Sequence, residues 1–149
     1  MSNKIVVYFT LILIALVVLM IILPKNTGAP STNNPAPEAT STVSASGNII
    51  VTSPLPNDTV GNPMTIAGVA RVFENQFAIR LIDSDGTKLK ETSAYASATD
   101  AGLFGPFNLN LDYPAPKGTN GTLEVFNYSP KDGSEVDKVT IPVNFTGGD

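Results

Sequence analysis

The residues that could do chemistry in this chain are few, and their spacing limits what they can do. Asp83-Ser84-Asp85-Gly86 has the opening of a calcium loop. An EF-hand needs glycine at its sixth position and a bidentate glutamate at its twelfth. Lys88 and Ala94 stand there instead. The segment reads as a hairpin turn, with Gly86 free to take a positive φ. A looser calcium site built from Asp83, Asp85 or Asp132 is the alternative. The other carboxylates are scattered singly. A glycosidase needs two of them facing each other across a cleft, and no long insertion is present to wall one. Asn57, Asn120, Asn127 and Asn144 each open an Asn-x-Ser/Thr sequon, which a chain this rich in Asn, Ser and Thr produces by chance.

Composition narrows the classes further. The 149 residues contain no cysteine and no histidine. Disulfides, thiol nucleophiles, thiolate metal sites and the lipid-bearing cysteine of a lipoprotein are excluded. So are the usual base near neutral pH and the commonest metal ligand. The net charge is −4, with no Lys/Arg cluster to neutralise phosphates. Nucleic-acid binding is therefore not expected. No catalytic residue, cofactor or metal is assigned, and the chain is read as a non-enzyme. An envelope hydrolase is the remote alternative.

Three stretches must position whatever does the work. Ile5–Leu23 is an uncharged apolar run. As a helix at about 1.5 Å per residue it spans roughly 30 Å, the thickness of bilayer hydrocarbon. It is too long for the centre of a cleaved signal, and Thr27-Gly28-Ala29 is a poor cleavage site. The run is read as an uncleaved signal anchor over 5–23. Lys4 and the free amino terminus place residues 1–4 in the cytoplasm, and the remainder is exported. Residues 24–48 alternate Pro24, Pro30, Pro35 and Pro37 with small and polar residues. No apolar face is present there to offset the entropy of ordering, so the segment is read as a linker.

From Asn48 the apolar residues recur with a period of two. Ile49–Ser53, Met64–Val72, a run centred on Phe77, Ile79 and Leu81, and Lys88–Ala96 are strands. So are Phe107–Tyr113, a run centred on Leu123 and Val125, and Val139–Phe145. About seven short strands with turn signals between them predict an antiparallel β-sandwich of immunoglobulin or fibronectin-III type over 49–145, with a tail at 146–149. Pro142 cannot donate to a ladder, so the last strand is an edge or is bulged there.

The ordered set Ser53-Pro54-Leu55-Pro56-Asn57-Asp58, Ile66–Asn75, Arg80–Gly86, Gly121–Phe126, Ser129–Glu135 and Ile141–Phe145 resembles Gmad2, the immunoglobulin-like domain of bacterial spore germination and sporulation proteins. The resemblance runs from about Ile49 to Phe145. It implies a bacterial cell-envelope module without enzymatic activity that mediates interactions, and it carries over no catalytic residue.

The expected partners are the membrane, through the anchor, and an envelope protein or cell-wall polymer, through the domain. In the alternative, the chain is an accessory subunit of a membrane complex held through its helix. In an immunoglobulin sandwich the third, sixth and seventh strands share a sheet. With Ile79, Leu81, Leu123 and Val125 inward, alternation turns Arg80, Ile82, Phe126 and Tyr128 outward as a mixed apolar patch. These four are the candidate partner surface. Arg71, Phe73 and Glu74, at the end of the second strand, are a secondary candidate. They read as a salt bridge and an aromatic plug closing the sandwich, or as a partner contact.

Overall fold

A computed structural model describes residues 41–147. The expected anchor and the linker up to residue 40 lie outside the described residues. Nine strands form two sheets: β1 (Thr42–Val43), β2 (Ile49–Ser53), β3 (Thr59–Val60), β4 (Met64–Ala70), β5 (Gln76–Asp83), β6 (Lys88–Tyr95), β7 (Gly105–Leu111), β8 (Asn120–Tyr128) and β9 (Glu135–Phe145). One sheet has the order β1-β2-β4-β7 and the other β3-β9-β8-β5-β6. All neighbours are antiparallel except β3, which runs parallel to β9.

The period-two pattern builds the core. Ile49 and Val51, Met64 and Ile66, Ile79 and Leu81, Leu123 and Val125, and Val139, Ile141 and Val143 are all buried between the sheets. Phe77 on β5 meets Phe107 on β7 with ring centroids 4.7 Å apart, joining the two sheets. Gly68 lets β2 and the Phe107 ring close over β4, since a Cβ there would collide with the Ile50 carbonyl oxygen. This is an all-β, immunoglobulin-like sandwich, as the alternation predicts.

Several details differ from expectation. Thr42–Val43 pairs with Ile50 and Val51, so the domain begins inside the segment read as linker. Ser44 fixes this entry: its Oγ accepts the Ile49 N–H at 3.1 Å, and its own N–H donates to the Ile49 carbonyl at 2.9 Å. Thr59–Val60 is a further unexpected strand. Two-residue strands hold no periodicity, and pairing alone reveals them. The fifth expected strand stops at Leu111, yet Tyr113 stays buried, its hydroxyl donating to the Gly61 carbonyl at 2.9 Å.

Pro142 is accommodated on a partly open edge. β3 covers β9 only at Asn144 and Phe145. The Pro142 carbonyl accepts the Asn57 N–H at 2.7 Å. In a strand the amide and carbonyl of one residue point to the same side, so the missing N–H lies on that side, away from β8.

Candidate interaction surface

The outer face of the five-stranded sheet is organised by register. Arg80 on β5 stands opposite Glu91 on β6 and Glu124 on β8. Its Nε donates to Glu91 at 3.0 Å, Nη1 to Glu124 at 2.9 Å and Nη2 to Glu135 at 2.6 Å. Glu135 reaches this face through a bulge in which Asp137 takes φ 56°. The bulge also brings Lys138 to Glu135 at 2.5 Å and Glu124 at 3.3 Å. Lys88 pairs with Glu91 at 2.9 Å, and the Tyr128 hydroxyl donates to the same carboxylate at 3.0 Å.

Phe126 lies beneath this lattice. The Arg80 guanidinium carbon is 4.6 Å from its ring centre, Lys138 Nζ is 5.3 Å away, and the Tyr128 ring meets it edge-on at 5.2 Å. Phe126 does point away from the sandwich core, but it is 0% exposed. This corrects the sequence reading, which placed it in an outward-facing mixed apolar patch. Alternation gives the direction of a side chain and not what covers it. Ile82 is half-buried, opposite Thr122 and Lys88, and Tyr128 keeps 45% of its surface exposed.

Mutual neutralisation dominates the electrostatics. The Arg80 guanidinium, then the Lys88 ammonium and the Tyr128 hydroxyl, hold the Glu91 carboxyl down at about 2. Arg80 and then Lys138 hold Glu135 below the usual carboxylate range. The three carboxylates in turn push the Arg80 guanidinium further up. Three cations face three carboxylates, so the lattice is balanced, and each of the three Arg80 nitrogens donates to a carboxylate.

The acidic turn is likewise occupied by the protein's own donors. Asp83, 3% exposed, accepts the backbone N–H groups of Lys117 and Ser84, both at 2.7 Å, and of Gly118 at 3.2 Å. These bonds, Lys117 first, hold its carboxyl below the ordinary value. Asp85 accepts the Thr87 N–H and pairs with Lys117. Asp132 bonds Ser134 in the β8–β9 loop, at the opposite end of the strands.

That opposite end is where apolar surface is open. It gathers the 44–48 turn, the 71–75 loop, the 96–104 loop and the 129–134 loop, because β4 and β8 end there while β2, β5, β7 and β9 begin there. Phe73 is 63% exposed, Leu103 51% and Phe104 42%. Phe73 heads a single 3-10 turn in which Glu74 and Asn75 both take left-handed backbone, φ 53° and 60°. Non-glycine residues adopt that region at a cost, and such outliers cluster at functional surfaces. The turn is pinned by Asn75 N–H to the Val72 carbonyl at 3.1 Å and by Ala96 N–H to the Asn75 carbonyl at 2.8 Å.

A groove of about 460 Å³ lies on one side of Phe73, toward Thr99 and Asp100. Another of about 260 Å³ lies on the other side, toward Gln76, Tyr128 and Pro130. Tyr128 of the first candidate set and Phe73 and Glu74 of the second therefore line one groove. Arg71 makes no pair with Glu74 among the described residues. Its guanidinium donates twice to Asn48 Oδ1, at 2.9 and 3.2 Å, and lies 4.9 Å from the Phe104 ring centre. The expected salt bridge and aromatic plug are thus replaced by an exposed ring and an arginine braced on Asn48, in the turn before β2. Leu103 and Phe104 were missed; their signal is a pair of large apolar residues inside an otherwise small and polar segment, outside any alternating run.

A family model described as the immunoglobulin-like domain of bacterial spore germination, Gmad2, matches residues 48–134. No curated protein and no solved structure matches the chain. The matched region stops before β9, short of the Phe145 limit read from the sequence, although β9 pairs with β8 along its length. With more than half of its residues inside the match, and with the sandwich in place around them, the chain belongs to the Gmad2 family of immunoglobulin-like domains.

Proposed function

We propose that the chain is a single-pass membrane protein that displays its Gmad2 domain outside the cytoplasmic membrane. There it binds an envelope protein or cell-wall polymer non-covalently and catalyses no reaction. The anchor rests on the apolar run Ile5–Leu23, which lies outside the described residues. Among the described residues no helix is long and apolar enough to cross a membrane. The observation that carries the binding role is the open loop end, where Phe73, Leu103 and Phe104 project beside two grooves. Exposed phenylalanine rings with a neighbouring arginine are residue types enriched at protein interfaces. The closed sheet face offers no comparable surface.

The test is a Phe73→Ser, Phe104→Ser double variant. Both side chains are exposed, so its unfolding should match the parent. Retention on purified cell wall and on solubilised envelope proteins should fall. Undiminished retention by the folded variant overturns the loop-end surface. The uncharged length of Ile5–Leu23 favours one second reading, an accessory subunit held through its helix. Removing residues 1–23 separates the two: the loop-end reading keeps its partner and the helix reading loses it.

A further inference from the structure

The two sheets have four edges, and three of them are guarded. β1 and β3 are two residues long, and β9 beyond β3 carries Pro142. β6 carries Lys88 and Lys90, and its pairing with β5 shifts register between Leu81 and Ile82. Short strands, prolines, lysines and bulges are the usual means of keeping an edge from pairing. β7 differs. It pairs with β4 over seven residues without a register shift and holds no lysine; its one proline, Pro106, guards only the start of the strand and leaves residues 107–111 open.

Alternation fixes which backbone groups of β7 face outward. The Pro106 carbonyl accepts the Ser97 N–H at 2.9 Å, so residue 106 points away from β4, and residues 108 and 110 follow it. The N–H and carbonyl groups of Asn108 and Asn110 have no partner among the described residues. Leu109, between them, points inward with Phe107 and Leu111, which are buried, yet remains only partly buried itself, and among the described residues no strand lies beyond β7. It borders an open groove of about 360 Å³ between β6 and β7.

We propose that β7 pairs antiparallel with β7 of a second copy of this chain, in the register that sets Leu109 opposite Leu109. Only Asn108 and Asn110 have both outward groups free, since Pro106 lacks an N–H and its carbonyl is occupied. A twofold axis through Leu109 sets each Asn108 opposite the other copy's Asn110. All four outward N–H groups then donate to outward carbonyls. The two Leu109 side chains meet at the non-hydrogen-bonded position, where cross-strand side chains approach most closely, and each covers the other's exposed half. On the outer face amide stands beside amide. β7 itself carries no charged side chain, so none opposes its twin across the strand pair, although each copy carries −4 overall. The match is self-complementary, as a twofold interface requires. Four hydrogen bonds and one leucine pair make a weak, reversible contact, so trapping is the suitable measurement.

The chain contains no cysteine, so a single substitution supplies its only thiol. Leu109→Cys, Asn108→Cys and Asn110→Cys are made in the full-length chain in detergent micelles and oxidised with copper phenanthroline. Leu109→Cys should form a disulfide dimer, since non-hydrogen-bonded partners lie about 4.5 Å apart between Cα atoms, within disulfide reach. Asn108→Cys and Asn110→Cys should fail singly and crosslink when mixed. Adding Asn110→Pro, which removes an outward N–H the fold does not use, should abolish the Leu109→Cys dimer. Should Leu109→Cys misfold, the mixed pair of exposed positions carries the test. Monomers throughout, or equal crosslinking from all three single positions, overturn the proposal. So does a photo-crosslinker at 109 that captures only a foreign chain in cells.

Discussion

Replacing Arg80 with Met tests the claim that the outer sheet face is a closed structural lattice. The change keeps the aliphatic stem over Phe126 and removes three charge-assisted hydrogen bonds, to Glu91, Glu124 and Glu135. An exposed ion pair contributes about 0–1 kcal/mol, whereas removing one member of a buried pair costs about 3–5 kcal/mol. The Arg80 side chain is 18% exposed and its partners 14–30%, so the site falls between these limits. A loss of about 2–4 kcal/mol follows, or roughly 10–25 °C in the unfolding midpoint of a domain this size. Thermal unfolding of residues 41–149 by far-ultraviolet circular dichroism measures it, with the full chain in micelles as control.

The pH dependence sharpens the test. Glu91 and Glu135 have folded pKa values depressed by Arg80. Their contribution is complete above the ordinary glutamate value and is lost as pH falls through the folded values, about 2 for Glu91. Without Arg80 the depression is largely gone. The gap between parent and variant should therefore narrow as pH drops below about 5. Arg80→Lys, a point charge in place of a three-way fork, should recover only part of the loss. A gap under about 1 kcal/mol at pH 7, or one that stays constant down to pH 3, would refute the lattice as a stabilising element.

Ile141→Ala, in the fully buried core, should cost about 2–5 kcal/mol in denaturant unfolding. Leu109→Ala, on the half-open edge, should cost about 1 kcal/mol in dilute protein. A fragment starting at residue 41 should be more stable than one starting at 48 by about 1–3 kcal/mol, because the latter loses β1 and the Ser44 hydrogen bonds. Asp83→Asn should lower the unfolding midpoint at neutral pH. The parent's advantage should fade as acid protonates Asp83, whose folded pKa is depressed mainly by the Lys117 N–H. Finally, protease added to spheroplasts should cut within residues 24–40 and release a resistant domain, while a carboxyl-terminal reporter is active only outside the cytoplasm.

The core was legible because alternation persists wherever one sheet face is buried. Ile79 and Leu81, Leu123 and Val125, and Val139, Ile141 and Val143 all face inward as the period requires. What escaped the sequence were features set by pairing. β1 and β3 are too short to show a period. Glu135 joins Arg80 because Asp137 inserts an extra residue into β9; alternation counted back from Val139 turns it the wrong way.

The sheet face was misread for a related reason. Arg, Ile, Phe and Tyr on outward positions describe an interface patch and a covered plate equally well, and register decides between them. Once Glu91 and Glu124 stand directly across from Arg80, the guanidinium is drawn over Phe126 and the ring leaves solvent. At the loop end no strand neighbour stands opposite Phe73, so no equivalent cover forms there, and the left-handed turn at Glu74 and Asn75 keeps the ring outward. The same reasoning bears on Leu109. Alternation turns it inward with Phe107 and Leu111, which are buried, but Leu109 borders the open groove between β6 and β7, and among the described residues no strand beyond β7 closes over it.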